Sequence, residues 1–172
     1  MTDLRRYIRD IPDFPKKGIV FKDITPLLGD AQAFKASVDG LAGLVDGLPC
    51  DAIVGIESRG FMFGAALALS MGKGFVPVRK PGKLPYKVVR LSYALEYGTD
   101  TIEMHHDALP AGRNVVVVDD LVATGGTAAA TCALVEQLGA RVSALAFVVA
   151  LDFLPWHDKL GQRDVRALIR YR

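Results

Sequence analysis

Apolar residues are spaced along this chain in two alternating ways, and the alternation predicts an α/β fold. Phe34, Val38, Leu41, Val45 and Leu48 recur at helical spacing over residues 31–48, with Asp30 placed to cap the first turn, although Gly40, Gly43 and Gly47 weaken this helix. The short run AIVGI (52–56) predicts a buried strand. The turn ESRG follows it, then an apolar helix over about 61–69 that ends near Gly72, and FVPV (75–78) predicts the next strand.

Further on, VVVV (115–118) predicts a strand buried on both faces. The turn DDLVATGG comes next, followed by a helix over about 127–138 closed by Gly139, and VSALAFVVAL and VRALIRY predict the last strands. Strands of this kind, separated by helices, belong in a mainly parallel central sheet flanked by helices. Two segments fall outside the alternation. Residues 1–30, broken by Pro12, Pro15, Gly18 and Pro26, read as irregular. Beyond the basic turn RKPGK, two extended arms meet around Tyr97–Asp100, which suggests a polar hairpin or flexible flap over about 79–103.

The chain has 172 residues, 51% of them hydrophobic and 23% charged, enough for one domain with a sizeable core over residues 1–172. A net charge of +2 with scattered Lys and Arg gives no footprint for nucleic acid or an anionic membrane. No run approaches the roughly 18 apolar residues of a membrane span, and the N-terminus lacks a signal-peptide pattern, so a cytoplasmic protein is expected. Cys50 and Cys132 have no metal-ligand spacing and read as small core residues in a reducing compartment.

Ligands of open parallel sheets bind beyond the carboxyl ends of the strands, where both ESRG and DDLVATGG emerge. Ala123, Thr124, Gly125, Gly126 and Thr127 can offer successive N–H groups and hydroxyls to an anion at a helix N-terminus. No Lys follows the glycines, so the turn is not a P-loop, and it suits one terminal phosphate. Asp119 and Asp120 accept hydrogen bonds, so their partners are a vicinal diol or a hydrated metal ion. A phosphate and a diol a few ångströms apart describe a ribose 5-phosphate.

VVVVDDLVATGGT resembles the phosphoribosyl-pyrophosphate motif of type I phosphoribosyltransferases, in the form typical of the adenine-specific branch. DFPKKGIVFKDITPLL, GIESRGFMFGAALA, GFVPVRKPGKLP and LEYGTDTIEMHHDAL extend the likeness in the same order, over roughly Ile11 to Ala150. The resemblance implies an N-terminal hood over about 1–30, a 5-phosphate in the 123–127 turn, and ribose hydroxyls on Asp119 and Asp120. It also implies Mg²⁺ carried by the pyrophosphate, with no direct protein ligand, and a homodimer. Arg59, Arg79, Lys80 and Lys83 are the candidate cations for the pyrophosphate.

For the base, the resemblance points to Val20, Phe21, Lys22 and Leu121, the two apolar side chains holding a purine ring and the main chain reading its edge. Glu96 is the candidate for moving the purine proton, with Glu103 as the alternative. His105 and His106 read as surface residues on opposite faces of an extended arm. In the 6-oxopurine enzymes a second acid occupies the position held here by Ala123, so the catalytic carboxylate is expected elsewhere. Lys22 and Val122 stand where Arg and a second Leu are common. The expected activity joins adenine to a phosphoribosyl group; a transferase for another base such as xanthine or orotate, and a non-catalytic sensor of the same pyrophosphate, are the alternatives.

Overall fold

Val115, Val116, Val117 and Val118 are all fully buried, at 0% exposure, and the rest of the fold is laid down around them. The computed structural model describes residues 2–94 and 98–172. A 3-10 turn, Leu4–Tyr7, leads into an antiparallel hairpin of β1 (Arg9–Pro12) and β2 (Val20–Asp23), then α1 (Thr25–Gly29). The hood is therefore regular where its prolines predicted irregularity. Each of its strands has only four residues.

Helix α2 (Ala31–Val45) starts where Asp30 accepts a hydrogen bond from the Ala33 N–H at 2.8 Å, as the capping pattern predicts. It ends at Val45, short of Leu48, because Gly47 takes up φ 75° and turns the chain. β3 (Ala52–Ile56), α3 (Gly60–Ser70) and β4 (Gly74–Val78) follow, then the antiparallel arms β5 (Val88–Ala94) and β6 (Thr99–His105). β7 (Asn114–Val122), α4 (Gly126–Gln137), β8 (Arg141–Leu151), α5 (Trp156–Leu160) and β9 (Val165–Tyr171) complete the described chain.

Five strands form one parallel sheet in the order β4-β3-β7-β8-β9. Val54 lies opposite Val76 on one side and Val117 on the other, and Val117 opposite Leu145, so apolar rows cross the sheet. One face packs Ile53, Val116 and Val118 against Leu41, Phe63 and Leu67 of α2 and α3. The other packs Val54, Val115 and Val117 with Leu134 of α4 and Met104 of β6. Each buried aliphatic side chain stabilises by about 1.5–3 kcal/mol, which explains why an uninterrupted valine run sits at the centre.

The topology also places the site. After β3 the chain moves outward to β4, and after β7 it moves the opposite way to β8 and β9, so the order reverses between the neighbours β3 and β7. A crevice opens at such a reversal, beyond the carboxyl ends of the two strands. Cys132 is buried, Cys50 half-buried, and both are free thiols; burial pushes the Cys132 thiol up to about 11.

Candidate active site

β7 does not stop at Val118. It runs to Val122, so Asp119 and Asp120 belong to the strand and the turn starts at Ala123. Asp119, Leu121 and Val122 keep register with Phe147, Val149 and Ala150 of β8, and that pairing overrides the low strand preference of two aspartates.

The start of α3 lies directly on this strand end. A methyl group on Gly60 would lie 2.6 Å from Asp119 Oδ1 and 2.9 Å from the Val118 carbonyl oxygen, so only glycine allows the approach. One residue earlier, Arg59 Nε stands 2.7 Å from Asp120 Oδ2. Burial lifts the Asp119 carboxyl well above the usual carboxylate range, and the neighbouring Asp120 charge adds to the effect. Burial raises Asp120 as well, against the pull of Arg59. Two crowded carboxylates of this kind favour ligands that bring hydrogen-bond donors or positive charge.

Beyond the strand, Gly125 takes up φ 76°, and a methyl on it would meet the Trp156 carbonyl oxygen at 3.1 Å. α4 begins at Gly126, so the first amides of the helix have no intrahelical acceptor and are available to an anion. Ala123, Thr124, Gly125, Gly126 and Thr127 all line one cavity of about 130 Å³. A second cavity of about 260 Å³ is lined by Glu57, Ser58, Arg59, Lys80 and Asp120, and the two share Asp119, Leu121 and Thr127 as a common wall.

The predicted cations surround the second cavity, each with a carboxylate. Glu57 receives Arg79 Nε at 3.3 Å, the Lys83 ammonium and the Lys80 N–H at 2.9 Å. Burial would raise the Glu57 carboxyl, but these donors outweigh it and hold it below its ordinary value. Lys80 pairs with Asp100; burial works against the Lys80 charge, yet the bond to Asp100 raises its pKa and lowers that of Asp100. Arg59 and Lys80 line the cavity itself, whereas Arg79 and Lys83 lie behind Glu57.

Tyr93 on β5 joins the arms to the turn. Its hydroxyl is 2.8 Å from Thr127 Oγ1 and 3.1 Å from Asp100 Oδ2, and burial raises its pKa. Glu103 is only 3% exposed; it accepts from the Gly82 N–H at 3.1 Å and pairs with Arg90 at 3.2 Å, so it ties the arm to the basic turn. His106 is exposed, but His105 is half-buried, its Nε2 enclosed without a hydrogen bond among the described residues, which corrects the reading of both as surface residues. Glu96 lies outside the described residues.

The hood approaches from the α3 side. Phe21 is half-buried, packs edge-on against Phe14 at 5.2 Å between centroids, and has the Arg59 guanidinium 5.3 Å from its ring centre. The Lys22 side chain turns away, its ammonium 2.7 Å from Asp10 Oδ1 and 4.3 Å from the Tyr171 ring centre. β2 pairs with β1 along one edge, and among the described residues no strand pairs with its other edge. Glu57, Tyr93 and Asp100 join the site without having been singled out beforehand. Only Glu57 carried a local signal, as an acid beside Arg59 at a strand end.

The phosphoribosyl transferase domain family matches residues 28–161. An adenine phosphoribosyltransferase of Thermotoga neapolitana is 54% identical over 169 residues, 98% of this chain and 99% of the relative. The crystal structure of the adenine phosphoribosyltransferase from Thermoanaerobacter pseudethanolicus superposes with a TM-score of 0.96 at 53% identity, covering 98% of both chains. The Saccharomyces cerevisiae enzyme, complexed with an imino-altritol 1,6-bisphosphate and adenine, gives a TM-score of 0.89 at 45% identity over 95% of this chain and 94% of its own. Full-length similarity of this order, together with a glycine turn and paired aspartates at the β3–β7 reversal, means that the chain belongs to the adenine phosphoribosyltransferases.

Proposed function

We propose that the chain transfers the phosphoribosyl group of 5-phosphoribosyl 1-pyrophosphate to adenine, giving AMP and pyrophosphate in purine salvage. The observation that carries this reading is the pair of polar cavities sharing Asp119, Leu121 and Thr127. A single substrate with a phosphate at each end and a diol between them fits this layout. The complex of the yeast relative, with a bisphosphate and adenine, supports the same arrangement.

In this reading the amides and hydroxyls of residues 123–127 hold the 5-phosphate, and Asp119 and Asp120 take the ribose hydroxyls. Arg59, Arg79, Lys80 and Lys83 receive the pyrophosphate by exchanging their carboxylate partners for it. Phe21 and Leu121 hold the purine ring while the Val20 and Lys22 main chain reads its edge. Glu96 manages the purine proton as the bond to N9 forms. The ribose carbon acquires oxocarbenium character as pyrophosphate departs, so positioning and charge neutralisation dominate the rate.

Mg²⁺ bound with the pyrophosphate would neutralise charge on the leaving oxygens. The Asp119 and Asp120 oxygens are hard donors crowded together beside Arg59, and they would suit the hydration shell of such an ion as well as hydroxyls. No helix among the described residues is long and apolar enough to cross a membrane. A cytoplasmic enzyme agrees with this. A homodimer is supported by Met62, Ala65 and Leu69, which form an exposed apolar stripe on α3.

The test is an assay with phosphoribosyl pyrophosphate, Mg²⁺ and each of adenine, hypoxanthine, guanine and orotate. Rapid formation of AMP and pyrophosphate with adenine alone is expected, and a preference for a 6-oxopurine overturns the base assignment.

A further inference from the structure

The phosphate turn contains no cation. Its residues 123–127 offer amides and hydroxyls, and its nearest charged neighbours in sequence, Asp119 and Asp120, are themselves anionic. The cations around the adjoining cavity are already matched: Arg59 to Asp120, Lys80 to Asp100, and Arg79 and Lys83 to Glu57. A dianionic phosphate held in the turn by amides and hydroxyls alone would gain from a positive charge supplied by another element.

Lys159 is placed to supply it. A methyl group on Gly126, the first residue of α4, would lie 3.4 Å from the Lys159 ammonium nitrogen and 3.5 Å from the Tyr93 ring. Among the described residues this ammonium has no carboxylate partner. Its helix is fixed against the turn, because Trp156 and Leu160 are 4% and 2% exposed and Trp156 backbone atoms stand 3.1–3.3 Å from the Cβ position of Gly125. The stem of Lys159 thus starts from a rigid point, while its exposed side chain is free to swing a strongly hydrated point charge toward the turn.

We infer that Lys159 is a further substrate-binding residue, an ammonium on the outer rim of the phosphate turn that neutralises part of the 5-phosphate charge. The inference rests on the phosphoribosyl reading of the turn. It assigns a role to α5, a helix remote in sequence from every motif of the site.

Ribose 5-phosphate is the probe, titrated into the full-length protein by calorimetry and followed by the fluorescence of Trp156, the single tryptophan, which abuts Gly125. Lys159→Met is expected to weaken binding by about three- to tenfold and to flatten its dependence on KCl. Lys159→Arg should restore most of the affinity, and adenine binding should be unchanged in both. Thr124→Val serves as the turn control. Equal affinity in Lys159→Met and wild type, with affinity still lost in Thr124→Val, overturns the role of Lys159 alone. Absence of saturable ribose 5-phosphate binding in the wild type overturns the phosphoribosyl reading, and the Lys159 assignment with it.

Discussion

The Tyr93 hydroxyl lies 2.8 Å from Thr127 Oγ1, linking the arm β5 to the last residue of the 123–127 turn across 34 positions of sequence. Tyr93 has a single hydroxyl proton, and Asp100, held ionised by its lowered pKa, can only accept. The Tyr93 proton therefore goes to Asp100, and Thr127 donates to Tyr93. Tyr93→Phe removes both bonds and leaves the ring on Gly126. Its expected effect is a rise of about two- to tenfold in KM for phosphoribosyl pyrophosphate, the range of one or two hydrogen bonds, with a smaller change in kcat. Steady-state kinetics at saturating adenine will measure it, and an unchanged KM removes Tyr93 from the site.

The Asp119 carboxylate carries a stability cost. Its folded pKa is raised, so the native state binds this proton more tightly than the unfolded chain does. The carboxyl is harmless below the ordinary aspartate pKa, and it costs progressively more stability as pH climbs toward the folded value. Asp119→Asn keeps an oxygen for the Asp120 N–H, which now donates to Asp119 Oδ1 at 2.9 Å, and removes that cost. The variant is expected to melt about 2–4 °C higher at pH 8, with the gain shrinking at pH 5, while losing affinity for ribose 5-phosphate. Scanning calorimetry at both pH values tests the sign, and a variant less stable at pH 8 than at pH 5 relative to wild type contradicts it.

What could be read from the chain alone divides along the same physical lines. The strands of the central sheet and the phosphate turn announce themselves through β-branched runs and glycines, signals contained within a few residues. The polarity of Asp119 and Asp120 argues for a turn, and pairing of Asp119 with Phe147 and Leu121 with Val149 of β8 draws them into the strand instead. The hood hairpin leaves no trace in the apolar pattern because RDIP and VFKD have four residues each and none of them is fully buried. Contacts such as Tyr93 to Thr127, or Lys159 to Gly126, join segments whose separate patterns say nothing of each other.

Gly60 is the tightest point of that assembly. An added methyl would lie 2.6 Å from Asp119 Oδ1 and 3.0 Å from its Cα, and neither the strand nor the helix can yield without moving the carboxylate pair. Gly60→Ala is expected to destabilise by about 1–3 kcal/mol, as overpacking does, and to depress activity beyond the loss of folded protein. Urea unfolding combined with rates normalised to folded fraction will separate the two effects. Wild-type stability and activity together contradict the close approach.

The exposed stripe on α3 bears on assembly. Leu69 is 85% and Met62 39% exposed, an unusual display for a helix whose opposite face is packed against the sheet. If a second copy covers this stripe, Leu69→Glu places an unpaired charge in the interface and shifts the protein to monomer at micromolar concentration. Light scattering reads the mass directly, and a variant that remains dimeric moves the interface elsewhere.

The catalytic carboxylate is the remaining assignment. Asp119 and Asp120 face Gly60 and Arg59, Glu57 is occupied by Arg79, Lys80 and Lys83, and Glu103 is enclosed with Arg90 and Gly82. In this structure each of these carboxylates is held by a contact that organises it. Ala123 offers no acid in the turn itself. We therefore keep Glu96, which lies outside the described residues, as the proposed carrier of the purine proton. Glu96→Gln keeps the size and a hydrogen-bonding oxygen but cannot exchange a proton, so kcat should fall by about 10²- to 10⁴-fold with little change in the affinity for phosphoribosyl pyrophosphate. The acidic limb of the pH–rate profile should disappear with it. A kcat near the wild-type value, or a profile that keeps its acidic limb, assigns the proton to another group.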